Sequence, residues 1–217
     1  MDSTQLDSRP FHRGAEADLY LTTIGPWKAV VKRRVRKKYR VPQLDERIRR
    51  ERTIRESHAI SDVKRAGIRA PSVIEIDLKD FAISMSYVEG TVARAALDST
   101  SKRESSKILC EVGEQLGLLH GFGMVHGDMT TSNIIISTEG HPFLVDFGMS
   151  SHSTEAEDRG TDLHLLQRSI ATSHLINLKH GEKPIQEGYR KALGTDAKSS
   201  FRKQKEIARR GRYFAIR

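Results

Sequence analysis

Cysteine is nearly absent: the 217 residues hold one, Cys110. A lone thiol cannot close an internal disulfide, and its place on an apolar helical face reads as a structural thiol in a reducing compartment. Long hydrophobic runs are missing as well. No stretch approaches the roughly 18 consecutive apolar residues of a transmembrane helix, so no membrane partner is expected. The opening Met-Asp-Ser-Thr-Gln lacks a basic segment followed by an apolar one, so no secretory signal is expected. Cys and His never cluster at metal-ligand spacing, and any ion is expected to be held by oxygen. No internal repeat is visible.

Negative charge is also in short supply. Lys and Arg number 37 against 28 Asp and Glu, giving a net charge of +9 and an isoelectric point near 9.8. Such an excess attracts polyanions. It is concentrated in two runs. Residues 28–55 hold 13 Lys or Arg against Asp45, Glu46 and Glu51, and residues 198–217 hold eight against Glu206 alone. One such run is as readily a solvated helix face as a binding surface. Two in a small chain favour an acidic partner, with RNA first.

What is present suggests a globular protein, with 37% hydrophobic and 30% charged residues. The pattern is strand-rich first and helix-rich second, which predicts an α+β protein in two lobes sharing a cleft. Leu19–Leu21 and Ala29–Val31 form short apolar runs, and residues 43–66 read as a charged helix with Leu44, Ile48, Ile54 and Ile60 near helical spacing. Val73–Ile76 and Phe81–Val88 read as strands, the second alternating through Phe81, Ile83 and Met85. The lobe boundary is expected at Glu89-Gly90, giving residues 1–89 and 90–217. A polar helix or loop follows, with caps on offer from Asp98 to Ser101. Ile108, Leu109, Val112, Leu116 and Leu119 then stripe a helix up to His120. Ile134–Ile136 and Phe143–Val145 are short strands joined at Glu139-Gly140, and helical patterns fill the remainder.

The chemistry sits around that small hairpin. Before it stands His126-Gly127-Asp128-Met129-Thr130-Thr131-Ser132-Asn133, and after it Asp146-Phe147-Gly148. Phosphoryl transfer calls for such a set. One carboxylate orients the attacking hydroxyl or accepts its proton, while a second carboxylate and an amide oxygen hold Mg²⁺ against the phosphates. An isolated Asp in a loop is most often a turn or cap residue; two at this spacing, with the Asn, reverse that preference. The candidate catalytic residues are Asp128 and, from the upstream half, Lys32; Asn133 and Asp146 are the candidate metal ligands.

The upstream half agrees. Ala29-Val30-Val31-Lys32 resembles the V-A-I-K strand whose lysine reaches the α- and β-phosphates of ATP. Glu56, 24 residues on in the charged helix, is placed to pair with Lys32. Alone, each would read as a surface residue. Gly14-Ala15-Glu16-Ala17 stands where a phosphate-covering loop belongs. It has one glycine rather than G-x-G-x-x-G, yet its small residues allow close backbone approach. Met85-Ser86-Tyr87-Val88 would connect the lobes, with Met85 behind the adenine and backbone groups of Ser86 to Val88 along its edge.

Together these pieces resemble the atypical serine/threonine kinase of the KEOPS complex, the PRPK family, in its archaeal form. The matching residues are Gly14 to Ala17, Lys32, Lys38-Tyr39-Arg40-Val41-Pro42, Leu44-Asp45, Arg52 to Glu56, Ala66-Gly67-Ile68, Ala70-Pro71 and Glu89-Gly90. They continue through His126 to Asp128, Thr130 to Asn133, Asp146 to Gly148, Asp158, Gly160, Asp162-Leu163 and Arg209-Arg210-Gly211-Arg212. The resemblance implies a bilobal kinase fold with a shortened second lobe. It also implies use of ATP with Mg²⁺ or Mn²⁺, autophosphorylation and ATPase activity, and support for making threonylcarbamoyladenosine in tRNA. The partners it implies are the KEOPS threonylcarbamoyl transferase subunit, a small regulatory subunit on the first lobe, and tRNA along the basic helix and tail. A cytoplasmic location goes with it.

Three departures from ordinary protein kinases matter. Gly127 replaces the Arg of H-R-D, Thr130 stands where many such kinases carry a Lys, and no A-P-E follows Gly148. A peptide-docking platform does not fit in the remaining length, so slow phosphorylation of foreign proteins and activity not gated by a loop phosphate are expected. Competing readings are a non-catalytic RNA-binding or scaffold subunit, a small-molecule kinase of the aminoglycoside type, and a RIO-like kinase of ribosome assembly. The phosphate-handling set disfavours the first, and the short second lobe disfavours the second. The Gly-Ala-Glu-Ala loop and the basic tail disfavour the third.

Overall fold

The structure is a computed structural model and describes residues 9–172 and 182–214, with side chains as far as Arg210. It falls into two compact units, Met1–Lys64 with Pro71–Val88 and Arg65–Ala70 with Glu89–Arg217. The α+β expectation holds: the first unit is built on an antiparallel sheet and the second is mainly helical.

The strands of the first unit are β1 (His12–Arg13), β2 (Ala17–Ile24), β3 (Trp27–Arg34), β4 (Val73–Asp77) and β5 (Ala82–Ser86). Their order is β1-β2-β3-β5-β4. The middle strand β3 is therefore paired on both sides, with Lys32 opposite Leu19 of β2 and Ile83 of β5. Pairing on two edges leaves little freedom of register, which fixes where Lys32 points.

Helix α1 (Pro42–Arg65) opens on a proline, whose fixed φ and missing N–H suit a first helical position. Its buried face is not the apolar stripe that hydrophobicity suggests. Leu44 is 41% exposed, whereas Asp45, Thr53, Glu56, Ser57, Ala59, Ile60 and Val63 are buried. Their spacing is helical, but four of the seven are polar, so a hydrophobic pattern cannot reveal that face.

Strand β5 also begins one residue later than its pattern suggests. Phe81 takes φ 52, a left-handed conformation uncommon for a bulky residue. It closes a turn in which the Asp77 carboxylate accepts the Lys79 and Asp80 amides at 2.8 and 3.1 Å. The Arg49 guanidinium lies 4.0 Å from the Phe81 ring centroid, and the Phe81 carbonyl accepts the Arg34 amide at 3.1 Å. These contacts hold the turn. Strand β5 does not alternate either, because Ala82, Ile83, Ser84 and Met85 are all buried.

In the second unit, β6 (Gly90–Val92), β8 (Ile134–Ser137) and β9 (Pro142–Leu144) form a three-stranded sheet, and β7 (Met124–Val125) pairs with β10 (Ser151–His152). The helices are α2 (Ala93–Ser99), α3 (Lys102–Gly121), α4 (Ala156–Thr172), α5 (Glu182–Leu193) and α6 (Ala197–Phe214). Ser101 caps α3 in a reciprocal capping box with Glu104, satisfying two amides that the first turn would otherwise leave open. The expected stripe Ile108, Leu109, Val112, Leu116 and Leu119 is buried. Each such side chain contributes roughly 1.5–3 kcal/mol through removal from water.

Helices α3 and α5 meet backbone to backbone. A Cβ added to Gly113 would stand 2.1 Å from the Ile185 carbonyl, and one added to Gly188 would stand 1.8 Å from the Cys110 carbonyl. This contact brings Tyr189 of α5 against His120 at the end of α3. Cys110 is half-buried here, and burial pushes its thiol above the ordinary value. No helix among the described residues is long and apolar enough to cross a membrane.

Candidate active site

In the first unit the residues between β1 and β2 form a tight loop. The Gly14 amide donates to the Ala17 carbonyl at 3.0 Å, and a Cβ at Gly14 would stand 2.8 Å from that same oxygen. Lys37 Nζ donates to the Ala15 carbonyl. Arg52 donates to the Glu16 carboxylate and holds its carboxyl below the usual carboxylate range, against a smaller opposing push from partial burial. Two cations thus pin the loop of Gly14, Ala15, Glu16 and Ala17 to the rest of the unit.

Lys32 and Glu56 do meet. Lys32 Nζ donates to Glu56 Oε1 at 2.6 Å, with the Glu56 side chain 1% exposed. Lys32 leaves the centre of the sheet where β3 is held on both edges, and Glu56 comes from the polar inner face of α1. A second cation shares the carboxylate: Arg34, two residues along β3 and on the same face, donates to Glu56 Oε2 at 2.5 Å. Arg34 also reaches the Arg52 carbonyl at 3.2 Å and lies 3.7 Å from Glu16. One buried carboxylate therefore gathers two positive charges, and Arg34 ties the loop to the Lys32 pair.

At the end of β5, Met85 is buried and lies opposite Val30 and Val73. The Ser86 amide donates to the Ser72 carbonyl at 2.9 Å, and the Tyr87 amide to the Lys28 carbonyl at 3.1 Å. The Ser86 hydroxyl accepts the Ser72 amide at 2.9 Å. Two of the three connector amides are thus engaged within the unit, which leaves Val88 as the backbone donor to consider for a base.

In the second unit, β7 delivers His126, Gly127 and Asp128. The Asp162 carboxylate of α4 holds this loop by its backbone, accepting the His126 amide at 2.7 Å and the Gly127 amide at 2.9 Å. Gly127 takes φ 79, and a Cβ there would stand 2.3 Å from the Met149 carbonyl. The arginine of H-R-D has no room at this position. His126 is buried and its Nε2 lies 3.1 Å from the Val145 carbonyl, which links the loop to the segment ahead of Asp146.

Asp128 and Asn133 come together. Asn133 Nδ2 donates to the Asp128 carbonyl at 2.8 Å and to Asp128 Oδ2 at 2.9 Å. With its NH₂ so committed, Asn133 keeps Oδ1 as the side-chain atom able to accept or to ligate. Asp146 follows at φ 63, accepts the Gly148 amide at 3.3 Å, and is exposed. An amide oxygen and an exposed carboxylate are hard donors that fit Mg²⁺ or Mn²⁺. Among the described residues there is no cluster of three or more His, Cys, Asp or Glu able to hold a metal.

A buried triad lies behind the loop. His120 Nε2 is 3.0 Å from Asp162 Oδ2, and His120 Nδ1 is 2.7 Å from the Tyr189 hydroxyl. A carboxylate only accepts, so Nε2 carries the hydrogen and Nδ1 accepts from the phenol. Burial holds His120 below the ordinary imidazole value, outweighing the Asp162 hydrogen bond that pulls the other way. Burial also pushes the Tyr189 hydroxyl up to about 12. The unfolded chain binds a proton on His120 near pH 6.5 that the folded chain refuses. The stability contributed by this residue is therefore fully present above that pH. It is lost as pH falls from there through the depressed folded value. Lowering the pH from 7.5 to 5.5 should lower the urea midpoint, and this slope should flatten in His120→Gln.

Much of the basic charge is spent internally. Arg40 and Arg49 pair with the buried Asp45 at 3.7 and 2.7 Å. Burial would raise the Asp45 carboxyl, but the Lys37 amide and Arg49 outweigh it and hold it low. In the C-terminal run, Lys203 and Arg210 reach Glu157 at 3.2 and 3.0 Å. Of the basic tail, the side chains from Gly211 onward lie outside the described residues. A composition that reads as a polyanion surface is partly the counter-charge of buried and half-buried carboxylates.

Sequence reasoning misses Arg34, His120 and Tyr189 as contributors, and takes Asp162 only as part of a motif. The available signals were the two-residue spacing of Lys32 and Arg34 on one strand, and a helix whose apolar stripe ends on a histidine.

The RIO domain family matches residues 18–172. The chain is 39% identical over 208 residues to KEOPS complex subunit Bud32 of Pyrococcus abyssi, covering 93% of this chain and 94% of that protein. The chain belongs to the Bud32 family of RIO-domain proteins. It is also 37% identical over 202 residues to a probable bifunctional tRNA threonylcarbamoyladenosine biosynthesis protein of Methanococcus maripaludis. A protein of the same description from Methanothermobacter thermautotrophicus is 36% identical over 204 residues. The match covers 93% of this chain in both cases but only 35% and 36% of those longer proteins. The RIO and KEOPS readings, treated as rivals on sequence, therefore coincide in one family.

Proposed function

We propose that this chain is an ATP-using phosphotransferase or ATPase subunit of the KEOPS complex, supporting threonylcarbamoyladenosine formation in tRNA. The observation that carries this reading is the Asp162 grip on the His126 and Gly127 amides. Within that loop Asp128 lies beside Asn133, whose NH₂ donates to its carboxylate at 2.9 Å. The Bud32 and bifunctional relatives supply the biological setting.

In this reading Lys32 neutralises the α- and β-phosphates, with Glu56 and Arg34 setting its position. The loop of Gly14 to Ala17 covers the phosphates with backbone rather than side chains. Met85 lies behind the adenine and the Val88 amide meets its edge. Asn133 Oδ1 and the Asp146 carboxylate would hold Mg²⁺ or Mn²⁺, which would supply charge neutralisation at the phosphates. Asp128 orients water or a serine or threonine hydroxyl and accepts its proton as the terminal P–O bond breaks. With Gly127 in place of arginine, no side chain there reads a loop phosphate, so activity is not gated in that way. Partners are the threonylcarbamoyl transferase and a small regulatory subunit, with tRNA met by basic residues of α1 and α6. The setting is cytoplasmic.

The test is hydrolysis of labelled ATP by the full chain, alone and with a threonylcarbamoyl transferase and tRNA. Divalent-dependent hydrolysis that rises in the complex, together with modified tRNA, is expected. tRNA modification by a complex in which this chain hydrolyses no ATP would leave a scaffold in its place.

A further inference from the structure

Tyr189 lies beyond residue 172, where the RIO match ends, yet its hydroxyl joins the group that holds the catalytic loop. The chain of contacts is continuous and buried. The phenol donates to His120 Nδ1 at 2.7 Å, and His120 Nε2 donates to Asp162 Oδ2 at 3.0 Å. The two oxygens of Asp162 accept the amides of His126 and Gly127. We propose that Tyr189 is a positioning residue for the catalytic loop, acting through His120 and Asp162.

A tyrosine present only for packing would not need its hydroxyl. The ring stands edge-on to His120 at 5.5 Å and tilted against Phe201 at 5.4 Å, and phenylalanine would make both contacts. Tyr189 is 0% exposed, so an unbonded hydroxyl would carry a desolvation cost. The hydroxyl instead settles the tautomer of His120. With Nδ1 occupied as an acceptor, the imidazole hydrogen sits on Nε2 and points at Asp162. Without the phenol, the hydrogen is free to move to Nδ1. Asp162 Oδ2 then loses one of its two donors, and the carboxylate can turn away from the loop amides.

The groups facing this relay are Asp162 and Arg159 of α4, His126 of the loop, Asp196 after α5 and Ser200 of α6. The close approach of α3 and α5 at Gly113 and Gly188 sets the reach of Tyr189. The consequence for turnover rests on the proposed function; the hold on the loop does not.

The experiment is residue-resolved amide hydrogen exchange on the full chain, with steady-state ATP hydrolysis beside it. In Tyr189→Phe the His126 and Gly127 amides should exchange about fivefold faster, the factor for one lost hydrogen bond, while the Leu116 amide keeps its rate. ATP kcat should fall by a similar factor with KM unchanged. Phe201→Leu is the packing control and should speed exchange across the unit without singling out the loop. Unchanged exchange at the two loop amides in Tyr189→Phe, or a uniform rise, overturns the proposal. Should Tyr189→Phe not fold, the imidazole ¹⁵N shifts of the parent decide: a hydrogen on Nδ1 of His120 overturns it, and one on Nε2 supports it. A parent with no ATP turnover defeats the proposed function alone, because the exchange arm still judges the relay.

Discussion

Asp128→Asn should lower ATP turnover by about 10² to 10⁴-fold, the range for loss of a positioned proton acceptor, and leave the fold intact. The residue is exposed, and its side chain bonds Asn133 at 2.9 Å. Asparagine keeps that shape and still offers an oxygen to Asn133, but it takes up no proton. Lys32→Ala should reduce turnover to a comparable degree by another route, raising KM for ATP as well. That variant should also fold, because Arg34 remains on Glu56 at 2.5 Å and the buried carboxylate keeps a counter-ion. Initial rates across a range of ATP concentrations, with circular dichroism as the check on folding, measure both. Parental rates in both variants would remove these residues from the chemistry.

Gly188→Ala should destabilise the second unit by about 3 kcal/mol or more, at the upper end of overpacking costs. The added carbon would stand 1.8 Å from the Cys110 carbonyl and 2.9 Å from the Glu114 amide nitrogen. Both atoms are helix backbone, so α3 and α5 must separate. Against a typical total of about 5–15 kcal/mol, this is a large fraction. Gly121→Ala in the same α3 is the contrast. Its nearest neighbour would be a Leu193 methyl at 3.6 Å, an ordinary contact, so helix propensity should stabilise by up to about 1 kcal/mol. Urea denaturation of the pair gives the difference directly. A Gly188→Ala protein as stable as its parent would mean that the two helices do not touch.

The parts of the fold legible in the sequence are those that hydrophobic spacing determines. Helix α3, with Leu109, Val112, Leu116 and Leu119 on one side, is one, and the small hairpin of β8 and β9 is another. The inner face of α1 was not legible, because Asp45, Thr53, Glu56 and Ser57 are buried through hydrogen bonds and ion pairs rather than through apolar character. The turn at Phe81 was missed for a related reason: its left-handed φ is held by Arg49 and Arg34, which lie far away in sequence. One side-chain pairing of the candidate site was readable from motif spacing, Lys32 with Glu56; the hydrogen bond from Asn133 to Asp128 was not, because the spacing placed both in one loop in separate roles. Arg34 was not, since nothing in a run of basic residues marks which one turns inward. His120 and Tyr189 meet only because glycines let two helices touch, and a single glycine in a sequence does not name its neighbour.

Glu56 carries one negative charge and faces two positive ones. Under the proposed function, a lysine sharing its charge with a triphosphate would stay paired with Glu56 but hold it less tightly, while the Arg34 guanidinium kept the carboxylate clasped. No ion would then be stranded in a dry interior, where an uncompensated charge costs several kcal/mol. A lone lysine–glutamate pair has no such second counter-ion.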